Sequence, residues 1–303
     1  MPPGRCFQNL SVLVALLLAG CGSGTGTASG DNQPLVVVTT SIWADVVANI
    51  GCGQFRIETL LPGGADPHAF EPSLSDRRDL DEAAAVVANG LGLEGPLEDS
   101  LAATEQAGTP VVRAGEYAVA NAGTAIEGAN PHVWFDPRLM GSILADVAGQ
   151  IAAATGVDYV DLIDCVEAYE LELGALDEEI ARLLAGVPAD HRHLVSSHDF
   201  LPWFADRYDL EVVGAVVGSA STLAQARPAQ LEELAATMSD LDVGAVFTEV
   251  GESSPDTEAL AARMGGVVVA PLYTESLGPD GSGADSYVGL MSTNARRVAQ
   301  ALA

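Results

Sequence analysis

The 303-residue sequence has little positive charge, with 13 basic residues against 42 acidic ones and a formal net charge of −29. Binding to nucleic acid requires a basic face, so this balance excludes nucleic acid as a partner. It also argues against adsorption to an anionic membrane through charge alone. A negative field concentrates cationic ligands, but acidic exported proteins are common, so the charge is only weak evidence for a metal ligand.

Long hydrophobic runs are also missing, and the apolar run Leu10–Leu18 is too short to cross a bilayer as a helix. It follows Arg5 and ends in Leu-Ala-Gly-Cys, a pattern typical of a bacterial lipoprotein signal. We therefore predict a signal peptide over residues 1–20, a lipid on Cys21 and a Gly/Ser/Thr-rich tether over residues 21–33. The protein would then be extracytoplasmic and lipid-anchored in the cell envelope. A plain secretory signal with a chance cysteine is the alternative.

Cysteine is scarce, with four in the chain. Cys6 would leave with the signal and Cys21 would carry the lipid, so Cys52 and Cys165 would remain in an oxidising compartment. Two cysteines are too few for a cysteine-rich zinc site but sufficient for one disulfide. We predict a Cys52–Cys165 disulfide, with two buried free thiols as the alternative.

Short β-branched runs alternate with amphipathic segments along the rest of the chain. Continuous apolar strands between helices are typical of parallel sheets that are covered on both faces. The pattern predicts an α/β protein with two lobes, each with a roughly four-stranded, mostly parallel sheet flanked by helices. The candidate strands are Leu35–Thr40, Arg56–Leu61, Ala84–Ala88, Pro110–Val112, His193–Ser197, Glu211–Val217, Gly244–Thr248 and Val267–Ala270. The amphipathic segments include Ile42–Ile50, Pro228–Asp240 and Pro255–Met264.

The clearest helical pattern joins the two halves. From Tyr159 to Leu184, apolar residues recur at alternating spacings of four and three, which indicates one continuous stripe over about seven turns. The residues of this stripe are Leu162, Val166, Tyr169, Leu173, Leu176, Ile180 and Leu183. At ~1.5 Å per residue this helix would span roughly 39 Å. We therefore predict an N-terminal lobe over 34–157, a linking helix over 158–186 and a C-terminal lobe over 187–303. A rigid linking helix predicts little hinge closure.

Three of the five histidines lie in distinctive settings. His68 lies in Asp-Pro-His-Ala-Phe-Glu-Pro, His132 in Asn-Pro-His-Val-Trp-Phe-Asp-Pro, and His198 in Ser-Ser-His-Asp-Phe. Proline fixes φ on either side of the first two, so their backbones are held in place before any ligand binds. One such histidine would be an ordinary hydrogen-bonded loop residue, whereas three together indicate a preorganised metal site.

These histidines come from both halves of the chain. His198 follows a predicted strand directly, and His68 lies in the loop after another. Ligands of open α/β sheets bind beyond the carboxyl ends of strands, so a site that His132 shares with these two would lie between the lobes. Glu249 and Glu275 also follow strands of the second half, and either could close a four-ligand shell.

The sequence resembles the zinc- and manganese-specific substrate-binding lipoproteins of ABC importers, a metal-binding branch of the periplasmic binding proteins. The resemblance covers about Leu35–Ala303 and rests on the two proline-flanked motifs, the strand-end Ser-His-Asp and the late Tyr-Thr-Glu. It implies two lobes joined by a long rigid helix, with one metal in the cleft. The implied ligands are His68, His132 and His198, and a fourth position that is commonly aspartate is here Glu275.

The resemblance also implies a function, which is to capture a metal ion and deliver it to the membrane permease of an ABC importer. The protein would act as a monomer held at the membrane by its N-terminal lipid. Three imidazoles and one carboxylate suit Zn²⁺, whereas manganese prefers more oxygen, so we expect Zn²⁺ as the transported ligand and Mn²⁺ as the alternative. His191 and His193 are expected to be solvated and not to bind metal.

Other functions fit parts of the pattern. An exported zinc hydrolase would use the three histidines with Glu275 or Glu249 as general base. However, His-Glu-x-x-His is absent, and a fourth protein ligand would fill the open position that catalysis needs, so we expect no enzymatic activity. A metal-binding adhesin is a further alternative. The segment Gly90–Gly95 matches the dinucleotide-binding fingerprint, but it lies in the third strand unit of its lobe, so we expect a structural turn.

Overall fold

The computed structural model describes Met1 and residues 33–125, 127–251 and 255–303. The predicted signal peptide, Cys21 and nearly all of the predicted tether lie outside the described residues. Across those described ranges, no helix combines the length and the apolar character that a membrane span needs.

In the described part of the chain, eight strands form two four-stranded sheets with the same arrangement. The first sheet has the order β2-β1-β3-β4 and the second β6-β5-β7-β8, and all neighbouring strands are parallel. The strands are β1 (Leu35–Val38), β2 (Arg56–Thr59), β3 (Ala85–Ala88), β4 (Val111–Arg113), β5 (His193–His198), β6 (Glu211–Val217), β7 (Ala245–Glu249) and β8 (Val268–Leu272). The predicted α/β class and all eight predicted strands are confirmed, with small differences at the strand ends.

Helices cover the faces of both sheets. The central strands β1 and β3 read Leu-Val-Val-Val and Ala-Val-Val-Ala and are fully buried, as parallel strands between two helical layers must be. The helices in the first half are α1 (Ser41–Ile50), α2 (Leu74–Glu82), α3 (Glu98–Ala107), α4 (Ala114–Asn121) and α5 (Pro137–Thr155). They are followed by α6 (Ile163–Leu184), α7 (Pro202–Tyr208), α8 (Pro228–Asp240), α9 (Pro255–Met264) and α10 (Tyr287–Ala301).

The linking helix α6 begins later than the sequence predicts. Tyr159–Asp161 forms a separate 3₁₀ turn, in which the side chain of Asp158 accepts a hydrogen bond from the backbone N–H of Val160. Helix α6 itself has 22 residues, or about 33 Å at ~1.5 Å per residue. Helix α6 therefore begins at Ile163, and the prediction of one continuous helix from Tyr159 is wrong for residues 159–162.

The predicted apolar stripe of α6 packs inward over most of its length. Its buried members are Leu162, Val166, Tyr169, Leu173, Leu176 and Ile180. At the last turn Leu184 is buried and the predicted Leu183 is only half-buried. Apolar residues spaced 3.5 residues apart on average rotate by about 20° per heptad around a helix that has 3.6 residues per turn. By the last turn of α6 this rotation has moved Leu183 away from the core, and Leu184 takes the buried position.

A partly buried ion pair fixes α6 to the second half. The Nε–H of Arg207, on α7, donates to Oδ1 of Asp177 on α6 at 2.7 Å, and the hydroxyl of Tyr208 donates to the same oxygen at 3.2 Å. The guanidinium of Arg207 also lies 3.9 Å from Asp136, which caps the N-terminus of α5. One arginine therefore joins three helices. Its removal would leave Asp177 as an unpaired buried charge.

A disulfide ties α6 to the first half. Cys52, just after α1, is bonded to Cys165 in the first turn of α6, with Cα atoms 5.7 Å apart. The bond closes a loop with a sequence separation of 113 residues. In the chain-entropy description, a disulfide that closes a loop of that size stabilises the folded state by about 4–5 kcal/mol, because it reduces the entropy of the unfolded chain.

We expect protein produced from residue 22 onward, and secreted into an oxidising compartment, to show no free thiol when it is denatured without reductant. A double variant, C52S with C165S, should be less stable by up to about 4–5 kcal/mol in denaturant unfolding. Reduced wild-type protein should match the double variant. Two titratable thiols in the unreduced protein would contradict the disulfide.

Candidate metal centre

The carboxyl ends of both sheets meet at one site. His198 is the last residue of β5, Glu249 is the last residue of β7, and Glu275 lies three residues beyond β8. His68 comes from the loop after β2 in the other sheet, and His132 from the loop before a 3₁₀ turn at Val133–Phe135. In the second sheet the strand order reverses between β5 and β7, and such reversals are where open α/β sheets bind ligands.

Three imidazoles and one carboxylate converge here and are withdrawn from solvent. His68, His132, His198 and Glu275 are 3%, 0%, 2% and 6% exposed. One potential ligand atom from each lies within 4.8 Å of the others. Oε1 of Glu275 lies 3.1 Å from Nε2 of His132 and 3.3 Å from Nε2 of His198, and these two nitrogens are 3.3 Å apart. The structure thus brings together the four residues that the sequence analysis selects.

Several polar atoms of this cluster are buried and have no hydrogen-bond partner among the described residues. They are Nε2 of His68 and both carboxylate oxygens of Glu275. The contacts of Oε1 with the imidazoles are close but do not have hydrogen-bond geometry. Burial of a carboxylate is costly unless a cation or hydrogen bonds compensate it. A divalent cation bound by these atoms would supply that compensation.

The charges of the four groups are strongly coupled. Burial by itself would raise the pKa of Glu275, but the neighbouring His132 and His198 hold that pKa well below its ordinary value. Burial disfavours protonated His198, yet the hydrogen bond to Glu249 and the proximity of Glu275 raise its pKa to about 9. Burial lowers the pKa of His68, and the negative charge of Glu275, which acts to raise that pKa, offsets only part of the effect. The site is thus an anionic carboxylate surrounded by imidazoles.

Two of the imidazoles are oriented by partners on their far nitrogens. Nδ1 of His132 lies 2.8 Å from Oδ1 of Asn130, and Nδ1 of His198 lies 2.9 Å from Oε1 of Glu249. These partners place the proton on Nδ1 and leave Nε2 to face the site, the usual arrangement around metal-binding histidines. Of the two carboxylates that the sequence analysis left open, Glu275 is in the cluster and Glu249 orients His198. Thr274 donates a further hydrogen bond to Glu249 at 3.2 Å.

The loop that carries His132 is locked to the segment that carries Glu275. The indole N–H of Trp134 donates to the backbone carbonyl of Thr274 at 3.0 Å. The hydroxyl of Tyr287, in the first turn of α10, donates to the carbonyl of Trp134 at 2.7 Å. Both aromatic side chains are buried. These hydrogen bonds fix the relative positions of two members of the cluster, which come from opposite halves of the chain.

The glycine-rich segment Gly90–Gly95 is a structural turn next to this loop. The carboxylate of Glu94, buried within the turn, accepts hydrogen bonds from the hydroxyl of Thr39 and from the backbone N–H groups of Asn89 and Gly90. The side chain of Asn89 donates in turn to the carbonyl of Pro131, directly before His132, at 3.0 Å. Since the Glu94 carboxylate already accepts from the N–H groups at the start of this turn, and Asn89 holds Pro131, the segment acts as a structural support of the His132 loop.

The two remaining histidines lie at the opposite end of the second sheet. His193 begins β5, whereas His198 ends it, so they are roughly 16 Å apart along the strand. Nδ1 of His191 lies 3.0 Å from the carbonyl of Leu302, and Nε2 of His193 lies 3.7 Å from Glu211. His191 is exposed, but His193 is only partly so, which differs from the solvated position that the sequence analysis expects. Neither residue reaches the cluster.

Comparison with known proteins extends this picture to the whole chain. The manganese-binding lipoprotein MntA of Halalkalibacterium halodurans is 27% identical over 290 residues, which covers 95% of each chain. The zinc-binding protein TroA of Treponema pallidum is 30% identical over 287 residues, which covers 92% of each chain. The solved structure of the periplasmic zinc-binding protein TroA from the same organism superposes with a TM-score of 0.81 at 29% identity, covering 89% of this chain and 99% of that one.

A family-level comparison agrees with these relatives. The sequence model of the family described as "Zinc-uptake complex component A periplasmic" matches residues 36–301, which include both sheets, the linking helix and all four clustered side chains. This chain therefore belongs to the periplasmic zinc-uptake component A family.

Proposed function

We propose that this protein captures one divalent metal ion at His68, His132, His198 and Glu275 and delivers it to the membrane permease of an ABC importer. The observation that carries the proposal is the buried convergence of three imidazoles and a carboxylate that lacks hydrogen bonds. Such a group is costly in the protein alone and favourable around a cation. Family membership supports the transport role and does not favour the hydrolase or adhesin alternatives.

The donor set supports Zn²⁺ as the preferred cargo, with Mn²⁺ as the alternative. Zinc is bound in proteins by four-coordinate sets of nitrogen, sulfur and carboxylate oxygen, and manganese favours sites richer in oxygen. Both metals occur in the names of the relatives, since TroA of Treponema pallidum is named zinc-binding and MntA of Halalkalibacterium halodurans manganese-binding. The relatives therefore do not decide between the two metals, and our proposal of Zn²⁺ for this chain is based on its three imidazole donors.

The same donor set supports binding and not catalysis. Catalytic zinc sites retain an open position for water or substrate beside three protein ligands, whereas four protein donors converge here. Glu249, the other carboxylate that could act as a general base, is hydrogen-bonded to His198. We propose that its role is to orient that imidazole.

The location of the protein follows from its family and its N-terminal sequence. Several relatives are named lipoproteins, including MntA of Bacillus subtilis, at 29% identity over 295 residues. We propose that Cys21 carries a lipid and that a monomer acts outside the cytoplasm at the membrane surface. We also propose residues 34–157 and 187–303 as the two lobes, with residues 158–186 as the link between them.

We expect metal analysis and titration to show one tightly bound Zn²⁺ per chain. Each of H68A, H132A, H198A and E275Q should lower affinity by more than about 100-fold, because the loss of a ligand exceeds the 10–100-fold cost of losing an outer partner. H191A and H193A serve as controls and should bind as wild type does. Two or more tight sites, or full affinity in H132A, would contradict the assignment.

We expect wild-type protein to take up Zn²⁺ over Mn²⁺ in equimolar competition, and His198→Glu to narrow that preference. The reason is that the substitution replaces a borderline-soft nitrogen by a hard oxygen in the same shell. Elemental analysis of the competed protein measures the ratio, and circular dichroism checks that the variant is folded. A wild-type preference for Mn²⁺ would show that ligand softness does not decide selectivity here.

A further inference from the structure

Asp66 links the loop that carries His68 to the second half of the protein. Its Oδ1 atom accepts a hydrogen bond from the backbone N–H of His68 at 2.8 Å. Its Oδ2 atom accepts one from the hydroxyl of Thr222 at 2.5 Å. Thr222 lies in the segment between β6 and α8, so a single carboxylate joins two segments that are 156 residues apart in sequence.

The His68 imidazole depends on this carboxylate more than the other two imidazoles do. Side chains hold the Nδ1 atoms of His132 and His198, as described above. Among the described residues, the backbone N–H of His68 donates to Asp66, whereas Nε2 of its ring has no hydrogen-bond partner and the ring lies beside those of His132 and His198. The position of this ligand is therefore set by its backbone, and Asp66 holds that backbone.

The loop around His68 has a conformationally flexible sequence at its first residues and is held by hydrogen bonds at its last residue. It begins with Gly63 and Gly64, and Gly64 has φ +79°, a conformation that glycine adopts without strain. It ends at Ser73, which caps α2 in a reciprocal pair of hydrogen bonds with Asp76. Movement of the loop would therefore occur at its glycine end, on the side of Asp66 and His68.

The site opens between the same two halves. A cavity of about 30 Å³ is bounded by Gly64–Asp66 on one side and by Glu249–Val250 and Tyr273–Ser276 on the other. Its volume is large enough for roughly two water molecules, and it extends to Glu275. The backbone N–H of Gly64 donates to the hydroxyl of Ser276 across this gap at 3.1 Å. Asp66 thus lies at the edge of a cavity that reaches Glu275 of the metal cluster.

We propose that the Asp66–Thr222 hydrogen bond is a latch that sets the rate of metal release, with His68 as the ligand that leaves first. The inference rests on the proposed function, because it requires a metal ion on the four ligands. When the latch opens, the loop carries His68 away and the cavity widens beside Glu275. His132 and His198 keep their own partners, so the ion leaves a three-ligand site through the widened gap.

The test is the Zn²⁺ dissociation rate of Thr222→Val, measured by stopped-flow mixing of the zinc-loaded protein with excess chelator. We expect release about 10-fold faster than wild type, since a hydrogen bond to a carboxylate contributes about that factor. Thr222→Ser keeps the hydroxyl and should restore a rate near that of wild type. Thr237→Val removes a similar hydroxyl from the surface of α8, where it donates to the carbonyl of Glu233, and should leave the rate unchanged.

A second arm separates a latch from a general loosening of the fold. In a His68→Ala background, Thr222→Val should add no further acceleration, because the latch acts through His68. An equal acceleration in that background would overturn the proposal, as would an unchanged rate for Thr222→Val alone. If the wild-type protein takes up no Zn²⁺, the proposed function fails together with the latch. Normal zinc uptake with an unchanged Thr222→Val rate overturns the latch alone.

Discussion

A buried carboxylate surrounded by three buried imidazoles is the interaction on which the rest of this structure depends. Glu275 is only 6% exposed, and within the described part of the chain its oxygens have no hydrogen-bond partner. The neighbouring imidazoles offset the cost of burying that charge, and a bound cation would offset it further. Because the four clustered side chains come from segments spread over both halves, the arrangement exists only if the carboxyl ends of the two sheets face each other across a narrow gap.

The contacts between the halves hold that gap. The hydroxyl of Ser41 accepts a hydrogen bond from the backbone N–H of Leu277 at 2.9 Å, just beyond Glu275. The carboxylate of Asp45 accepts one from the backbone N–H of Tyr287 at the start of α10, where the helix dipole favours negative charge. Beneath these contacts, one hydrophobic core runs from the first sheet through α5 and α6 to the second sheet. A continuous close-packed core resists separation of the sheets, so a release step confined to one loop is easier than a wide opening of the two halves.

Much of this structure could be predicted from the sequence because its signals are local. Buried parallel strands appear as uninterrupted apolar runs, and proline-flanked histidines mark loops whose backbone is already fixed. The predictions that were wrong or incomplete concern features that depend on interactions beyond the local sequence. The break before Ile163 depends on an aspartate that caps a 3₁₀ turn, and the change from Leu183 to Leu184 depends on helix drift over several turns. The roles of Glu249, Asn89 and Thr222 depend on hydrogen bonds across distant parts of the chain. Of these three, only Glu249 gave a signal, its position at a strand end, and such a position does not tell a ligand from its supporting partner.

The most direct test of the account is the coordination of zinc in the loaded protein, measured by X-ray absorption or by anomalous diffraction at the zinc edge. The account predicts one zinc ion bound by Nε2 of His68, His132 and His198 and by a carboxylate oxygen of Glu275, at about 2.0–2.2 Å. The Nδ1 atoms of His132 and His198 should remain bonded to Asn130 and Glu249. A zinc ion bound by Glu249, or one with water in place of Glu275, would contradict the claim that the buried Glu275 carboxylate organises the site.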